Sequence, residues 1–118
     1  MPHYLVQLSY TPEAWAAQLN HPEERAEQVW SALEKIGGRI ESLYYAFGQY
    51  DVIAILEAPD NTAAAAFGLA ITASGAVRSY VTTPLLSPEE GLAAMREGRE
   101  IATVYRSPLT QTAELDGS

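Results

Sequence analysis

The side chains in this sequence that could do chemistry are tyrosines, one aspartate, one arginine and one histidine in or beside strand-like runs. The candidates for ligand binding are His3, Tyr4, Tyr44, Tyr50, Asp51, Arg78 and Tyr80. Aromatic rings with hydroxyl tips suit an amphipathic organic ligand when strands bring them around a cavity. Tyrosines fit half-buried strands and interfaces equally well without a ligand. The pattern therefore favours a pocket for a small organic molecule, and the catalytic residues stay unknown.

Tyr50 and Asp51 place a hydroxyl and a carboxylate side by side at the start of a predicted strand. One interpretation is that they hydrogen-bond a polar ligand or polarise a substrate. The other is structural: Gly48 permits a hairpin turn and the aspartate accepts hydrogen bonds from nearby backbone donors. The sequence leaves both interpretations open.

The two histidines do not indicate a metal or haem site. His3 could act as a base or haem ligand at the end of the first strand, but no carboxylate or second ligand lies near it in sequence. His21 stands at a helix start, where capping explains it. The pair Gly37-Gly38 follows a helix, the reverse of a phosphate-binding loop. With no cysteine in the chain, zinc ribbons and thiol nucleophiles are excluded, and we predict no cofactor and no metal.

The negative charge of the chain argues against nucleic acid as a partner. Fifteen acidic residues against seven basic ones give a net charge of -8, which repels the phosphate backbone of nucleic acids.

No apolar run approaches the roughly 18 to 20 residues that span a membrane. The chain starts directly in a strand-like run without the features of a signal peptide, so we predict a cytoplasmic location. The 118 residues fit one domain.

The hydrophobic pattern predicts four strands and four helices. The predicted strands cover about 3–10, 39–47, 51–58 and 77–83. The predicted helices are a short one from Thr11, one from about Pro22 to Ile36, one over 62–74, and one from Ser87 to about Glu97. The last begins with a capping box, Ser-Pro-Glu-Glu.

Two of these helices carry large apolar side chains whose spacing predicts contact with a core. Trp15 and Leu19 lie four apart and are expected to share a buried side, and Trp30 is expected to face the core. The 62–74 helix is apolar nearly all round, so we expect another subunit to cover its outer side.

The element order predicts an α+β, ferredoxin-like βαββαβ fold with an extra C-terminal helix. Right-handed crossovers would place both crossover helices on one face of a four-stranded antiparallel sheet, with the first and third strands central. The other face would have no helices of its own. We therefore predict that two sheets pair face to face in a homodimer or higher homo-oligomer.

Two long segments resemble a known family. Residues 44–60, YYAFGQYDVIAILEAPD, resemble the signature of the GYD domain family, which is named for a Gly-Tyr-Asp motif; here a glutamine intervenes, giving GQYD at 48–51. Residues 74–91, SGAVRSYVTTPLLSPEEG, are similar to a second family segment, and 10–15 also fits. The resemblance covers about 3–97.

We therefore divide the chain into a GYD-like domain over 1–97 and a C-terminal extension over 98–118. The extension is predicted to hold a short strand over 101–105 and a flexible tail from Pro108.

The resemblance implies a dimeric α/β-barrel protein with ferredoxin-like subunits. That superfamily includes cofactor-free monooxygenases, haem enzymes, small-molecule sensors and members without known activity, so an enzyme activity would rest on fold analogy alone. The first hypothesis is a homo-oligomeric small-molecule-binding domain, which predicts an apolar cavity near Tyr4, Tyr44 and Tyr80.

Two other hypotheses stay open. A cofactor-independent monooxygenase or isomerase would bring a tyrosine or His3 to Arg78 or Asp51 in one enclosed cavity. A purely structural assembly module would have no cavity and a large apolar interface over the alanine-rich helix.

Overall fold

The computed structural model describes residues 1–23 and 25–109. Its elements are β1 (His3–Tyr10), α1 (Pro12–Asn20), α2 (Ala26–Lys35), β2 (Arg39–Tyr45), β3 (Val52–Glu57), α3 (Asn61–Ala73), β4 (Val77–Leu85) and α4 (Pro88–Ala102). The first compact unit, Met1–Leu85, holds the whole sheet and α1 to α3, and the second, Leu86–Ser118, holds α4.

The sheet has the order β2-β3-β1-β4, and every neighbouring pair is antiparallel. The predicted α+β, ferredoxin-like arrangement with the first and third strands central is therefore confirmed. The β4 strand is an edge strand, which is where Pro84 is tolerated because its missing N–H leaves no gap in the middle of a sheet.

Strand β1 owes its place at the centre of the sheet to its alternating sequence. Tyr4 and Val6 are buried on the face that α2 and α3 cover, whereas Leu5 and Gln7 point to the other face. The register of β1 with β4 shifts beside Ser9, where β4 contains one extra residue.

Short-range chemistry fixes the ends of the helices. The Thr11 and Asp60 side chains accept hydrogen bonds from the first turns of α1 and α3. Ser87 forms the predicted capping box with α4. Gly37 and Gly75 adopt φ of 76° and 79°, as expected where a helix ends in the left-handed region.

The core of the first unit lies between α2, α3 and one face of the sheet. Leu33 of α2 and Phe67 of α3 are buried against Val6, Ala54 and Leu56 of the central strands. Burying each such side chain contributes roughly 1.5–3 kcal/mol relative to leaving it in water.

Several expectations for the helices were wrong. Leu19 is 75% exposed and Trp30 is 43% exposed, although their spacing predicted burial. Trp30 instead donates a hydrogen bond to Glu34 one turn further along α2. Helix α2 also begins at Ala26, later than predicted, and the described residues before it, Pro22, Glu23 and Arg25, are not helical.

The C-terminal extension also differs from the prediction. Helix α4 continues to Ala102 and is followed by a turn, so the short strand predicted over 101–105 is absent from the described part of the extension. Most of the predicted tail, 110–118, lies outside the described residues. None of the described helices is long and apolar enough to cross a membrane.

Candidate functional site

The structure distributes the candidate residues over separate places in the first unit. Tyr4 and Tyr80 share one groove, which we call the tyrosine groove. Asp51 lines a different groove at the β2–β3 hairpin, and Tyr50 is half-buried in that hairpin.

The remaining candidates do not join either groove. Tyr44 is 67% exposed, and by strand alternation it lies on the sheet face away from α2 and α3. His3 lies on that same face, at the edge formed by the starts of β1 and β2. Arg78 is exposed at the extra residue of β4, where the register with β1 shifts.

The tyrosine groove is an open cleft of about 380 Å³ between α3 and the edge strand β4. This volume is in the range of sites that hold small organic molecules, roughly 300–1,000 Å³. Its walls combine apolar surface with a few polar atoms, and none of the described residues that line it is charged. The residues that shape it include Tyr4, Asn61, Gly68, Leu69, Tyr80 and Pro84.

Tyr4 forms the firmly held end of the tyrosine groove. It is 2% exposed, and its hydroxyl donates a 2.6 Å hydrogen bond to Asn61 Oδ1 at the start of α3. The bond joins the central strand β1 to α3 and fixes the orientation of the ring.

Tyr80 lines the tyrosine groove, and its hydroxyl is a buried polar group without a protein partner among the described residues. Its hydroxyl is buried, and it neither donates nor accepts a hydrogen bond of normal geometry among the described residues. Burial raises the pKa of Tyr80 to about 12, while a contact with the Thr82 side chain, which falls short of hydrogen-bond geometry, acts in the opposite direction. The phenol therefore stays protonated and can donate a hydrogen bond throughout the physiological range.

Gly68 explains how the Tyr80 ring comes to lie against α3. A Cβ at this position would stand 2.8 Å from Tyr80 Cε1, closer than real Cβ contacts come. The absent side chain therefore makes room for the ring, and the helix glycine is a packing requirement and not a source of flexibility.

The interior between the sheet and its helices is nearly filled. Two voids there measure about 40 and 10 Å³ and are lined mainly by apolar side chains such as Val6, Leu56 and Phe67. These voids are too small for a ligand of ordinary size.

Asp51 links three segments near the C-terminal end of β1, away from Tyr4. Its Oδ2 accepts hydrogen bonds from the Tyr10 backbone N–H at 2.9 Å and from Trp15 Nε1–H at 3.2 Å. Its own backbone N–H donates to Leu8 at 2.8 Å. The carboxylate therefore ties the hairpin to the junction of β1 and α1. Gly48 has no positive φ, so the turn does not need a glycine there.

The Asp51 groove is lined by aromatic and acidic residues, and we call it the acidic groove. It is an open cleft of about 440 Å³ bounded by α1, the segment after it, and the end of β2. The side chains that give it its chemical character are Trp15, Glu23, Tyr45, Phe47 and Asp51.

A charged cluster occupies the sheet face away from α2 and α3. Glu57, whose side chain is 8% accessible, forms an ion pair with Arg39. The hydrogen bond from Arg39 is the main cause that lowers the pKa of Glu57 below its usual value, although burial acts against it. His3 Nε2 lies 3.3 Å from Glu41 and 3.6 Å from Glu57. Among the described residues, no group of three or more metal-ligating side chains could hold a metal ion.

Sequence inspection missed the partners of the predicted residues. Trp15, which holds Asp51, lies 36 positions away from it, and Asn61, which holds Tyr4, lies 57 positions away. Such pairs carry no local signal. Gly68 did carry one, because a glycine inside a confidently helical pattern costs about 1 kcal/mol relative to alanine and so indicates a packing reason.

The fold defines a small α+β domain of the ferredoxin-like kind. The sequence model of the GYD domain matches residues 4–95. The chain therefore belongs to the GYD domain family, as its sequence motifs indicated. No match to a curated protein was found.

Proposed function

We propose that this GYD domain is a homo-oligomeric small-molecule-binding protein whose ligand occupies the tyrosine groove. The supporting observation is the buried Tyr80 hydroxyl, which has no hydrogen-bond partner among the described residues. An unsatisfied buried polar group costs roughly 1–3 kcal/mol, and a ligand that accepts its hydrogen bond would recover that cost.

The groove chemistry suggests the class of ligand. Because the lining carries no charged side chain, an ionised ligand would lose its hydration without gaining a counter-charge. Tyr80 remains a donor, and Leu69 and Pro84 present apolar surface. A neutral organic molecule with an apolar body and a carbonyl or ether acceptor fits these features best.

The homo-oligomer is supported by apolar surface on the sheet. The core around Val6 uses alternate strand positions, so Leu5, Ile53, Ile55 and Val81 point to the face that α2 and α3 leave uncovered. A sheet face of this composition is stabilised when a second sheet covers it. The outer side of α3, with Leu69 70% exposed, is a second apolar surface.

Binding has more support than catalysis. The oxygenase or isomerase alternative needs a tyrosine or His3 beside Arg78 or Asp51 in one enclosed cavity. Tyr45 and Asp51 share the acidic groove, but that groove is an open cleft, and Arg78 is exposed on β4. The cytoplasmic location stays a prediction from the sequence.

A fragment screen tests the proposal. Ligand-observed NMR with a library of neutral aromatic ketones and lactones is expected to yield binders, and Tyr80→Phe is expected to weaken those with a carbonyl acceptor by about 5- to 10-fold, since one such hydrogen bond contributes about 1 kcal/mol or more. Tyr44→Phe removes a tyrosine hydroxyl from the opposite face and serves as the matched control.

A screen without binders would count against the binding proposal and favour the assembly module. Binders whose affinity is the same for the wild type and Tyr80→Phe would place the site elsewhere.

A further inference from the structure

We propose that the acidic groove is a second site, which binds an organic cation such as a quaternary ammonium or a protonated amine. The groove combines the two features that such cations need: aromatic faces and carboxylates. It is separate from the tyrosine groove, and the two proposals stand independently.

The aromatic part of the acidic groove comes from three side chains. Trp15, Tyr45 and Phe47 line it, with Tyr45 51% exposed and Phe47 fully exposed. A solvated phenylalanine beside a cleft offers apolar surface that a bound molecule can cover. Aromatic faces also attract cations through the ring quadrupole, most strongly when the cation is only weakly hydrated, as a quaternary ammonium is.

The Trp15 ring is held in place before any ligand arrives. Its indole N–H donates to Asp51 Oδ2 at 3.2 Å, and its ring packs against the Tyr10 ring in a T-shaped contact, with centroids 5.2 Å apart and planes at 76°. A ring fixed from two sides loses little conformational entropy on binding, which favours affinity.

The charges of the groove select a cation. Among the described residues, Asp51 and Glu23 are the two acidic residues that line it, and no basic side chain does. The Oδ2 atom of Asp51 is occupied by Tyr10 and Trp15, whereas Oδ1 accepts no hydrogen bond from the described residues. That oxygen is available to a ligand.

The wider surroundings act in the same direction. The net charge of -8 raises the local concentration of cations around the whole chain. Arg25 lines the adjoining cleft together with Glu23, but within the described part of the chain it forms no ion pair with Glu23 or Asp51. Arg25 therefore lies beside the groove and not in its lining, so among the described residues neither carboxylate of the groove is neutralised by an ion pair.

The test compares two probes of the same shape, choline and its neutral isostere 3,3-dimethylbutan-1-ol. A Trp30→Phe background makes Trp15 the only tryptophan, so that its fluorescence reports on the acidic groove; Trp30 lies on α2 and hydrogen-bonds Glu34. We expect millimolar binding of choline at constant ionic strength. The neutral alcohol is expected to bind about 5-fold or more weakly, since the cation–π and charge terms together exceed about 1 kcal/mol.

Three variants locate the site. Phe47→Leu and Glu23→Gln are expected to weaken choline binding about 2- to 5-fold each, from loss of one ring or one charge. Both side chains are exposed, so neither change threatens the fold. Tyr44→Leu removes an exposed aromatic side chain that does not line the groove, and its affinity for choline is expected to match that of the background.

Equal affinities for choline and the neutral alcohol would overturn the cation site. So would a Phe47→Leu variant that binds choline normally but forms a smaller oligomer in light scattering, because the groove would then be an interface between copies of the chain. Loss of choline binding in Phe47→Leu and Glu23→Gln with an unchanged oligomer would support the proposal.

Discussion

The two grooves of the first unit differ in the way their polar groups are satisfied. In the tyrosine groove, Tyr4 bonds to Asn61 but Tyr80 has no partner among the described residues, and no lining residue is charged. In the acidic groove, Asp51 is already held by two donors and the lining carries two carboxylates.

The two polar groups therefore contribute differently to the stability of the fold. Asp51 contributes to the fold whether or not a ligand is bound, because it joins the hairpin to the β1–α1 junction. Tyr80 costs the fold free energy because its buried hydroxyl has no partner among the described residues, and the proposed ligand would recover that cost. Removing the polar group of Asp51 or that of Tyr80 should therefore have opposite effects on stability, and five predictions examine this contrast.

The largest effect is expected in the acidic groove. Asp51→Ala leaves the Tyr10 N–H and the Trp15 Nε1–H without their acceptor, so the free energy of unfolding should fall by about 2–4 kcal/mol. Asp51→Asn keeps an acceptor oxygen and should lose less. Urea unfolding measures both, with Asp60→Ala as the control, because that capping change on α3 is expected to cost about 1 kcal/mol. A smaller loss for Asp51→Ala than for Asp60→Ala would contradict this role of Asp51.

The next largest effect on stability is expected at Gly68, where α3 contacts the Tyr80 ring. Gly68→Ala places a methyl group against the Tyr80 ring, and we expect a net destabilisation of about 1–2 kcal/mol in spite of the better helix propensity of alanine. Gly98→Ala in α4 is the matched control, since nothing lies within 4 Å of its added Cβ. It should stabilise by about 0.5–1 kcal/mol. Similar changes in melting temperature for both variants would show that the Tyr80 ring does not need Gly68.

The third prediction compares the two tyrosines. Tyr80→Phe removes an unpartnered hydroxyl and should leave stability unchanged or raise it by up to about 1 kcal/mol. Tyr4→Phe removes the hydrogen bond to Asn61 and should cost about 0.5–1.5 kcal/mol. If Tyr80→Phe lowered the free energy of unfolding as much as Tyr4→Phe does, the Tyr80 hydroxyl would have a partner in the folded protein.

Tyr80 also predicts an alkaline loss of stability. Its folded pKa of about 12 lies above the ordinary tyrosine value of 10.0, so the unfolded chain releases this proton first. The Tyr80 contribution is therefore complete below pH 10 and is lost as the pH rises towards 12. Tyr80→Phe should flatten this part of the curve in urea titrations at a series of pH values, whereas Tyr44→Phe should not.

The smallest effect is expected outside both grooves, at the Arg39–Glu57 pair. The lowered pKa of Glu57 means that this pair stabilises the fold above the ordinary glutamate pKa and that its contribution is lost as the pH falls through the lowered value. The stability difference between the wild type and Arg39→Gln should therefore be present at pH 7 and shrink below about pH 4. Arg96→Gln on α4 is the control. Binding at either groove should not respond to Arg39→Gln.

Much of the fold could be predicted from the sequence because its signals are local. The alternation of β1, the capping box at Ser87 and the glycines after α2 and α3 each act within a few residues. Helical spacing alone did not identify the buried side of a short helix, because tertiary packing decides which side of the helix faces the sheet. Leu19 and Trp30 were predicted to be buried and are exposed.

The candidate site could be predicted only as a set of residue types. Sequence inspection selected Tyr4, Tyr80 and Asp51, but it could not show that Tyr80 would lack a partner while Asp51 would have two. Those states depend on Gly68 and Trp15, which long-range packing brings to the two grooves.

Native mass spectrometry of freshly purified protein, beside the same sample denatured, tests the proposed function most directly. We predict a homo-oligomer that carries a non-covalent mass, which denaturation releases and which Tyr80→Phe reduces. A monomer would contradict the oligomer, and an oligomer without added mass, both as purified and after incubation with the neutral carbonyl library, would contradict ligand binding in the tyrosine groove.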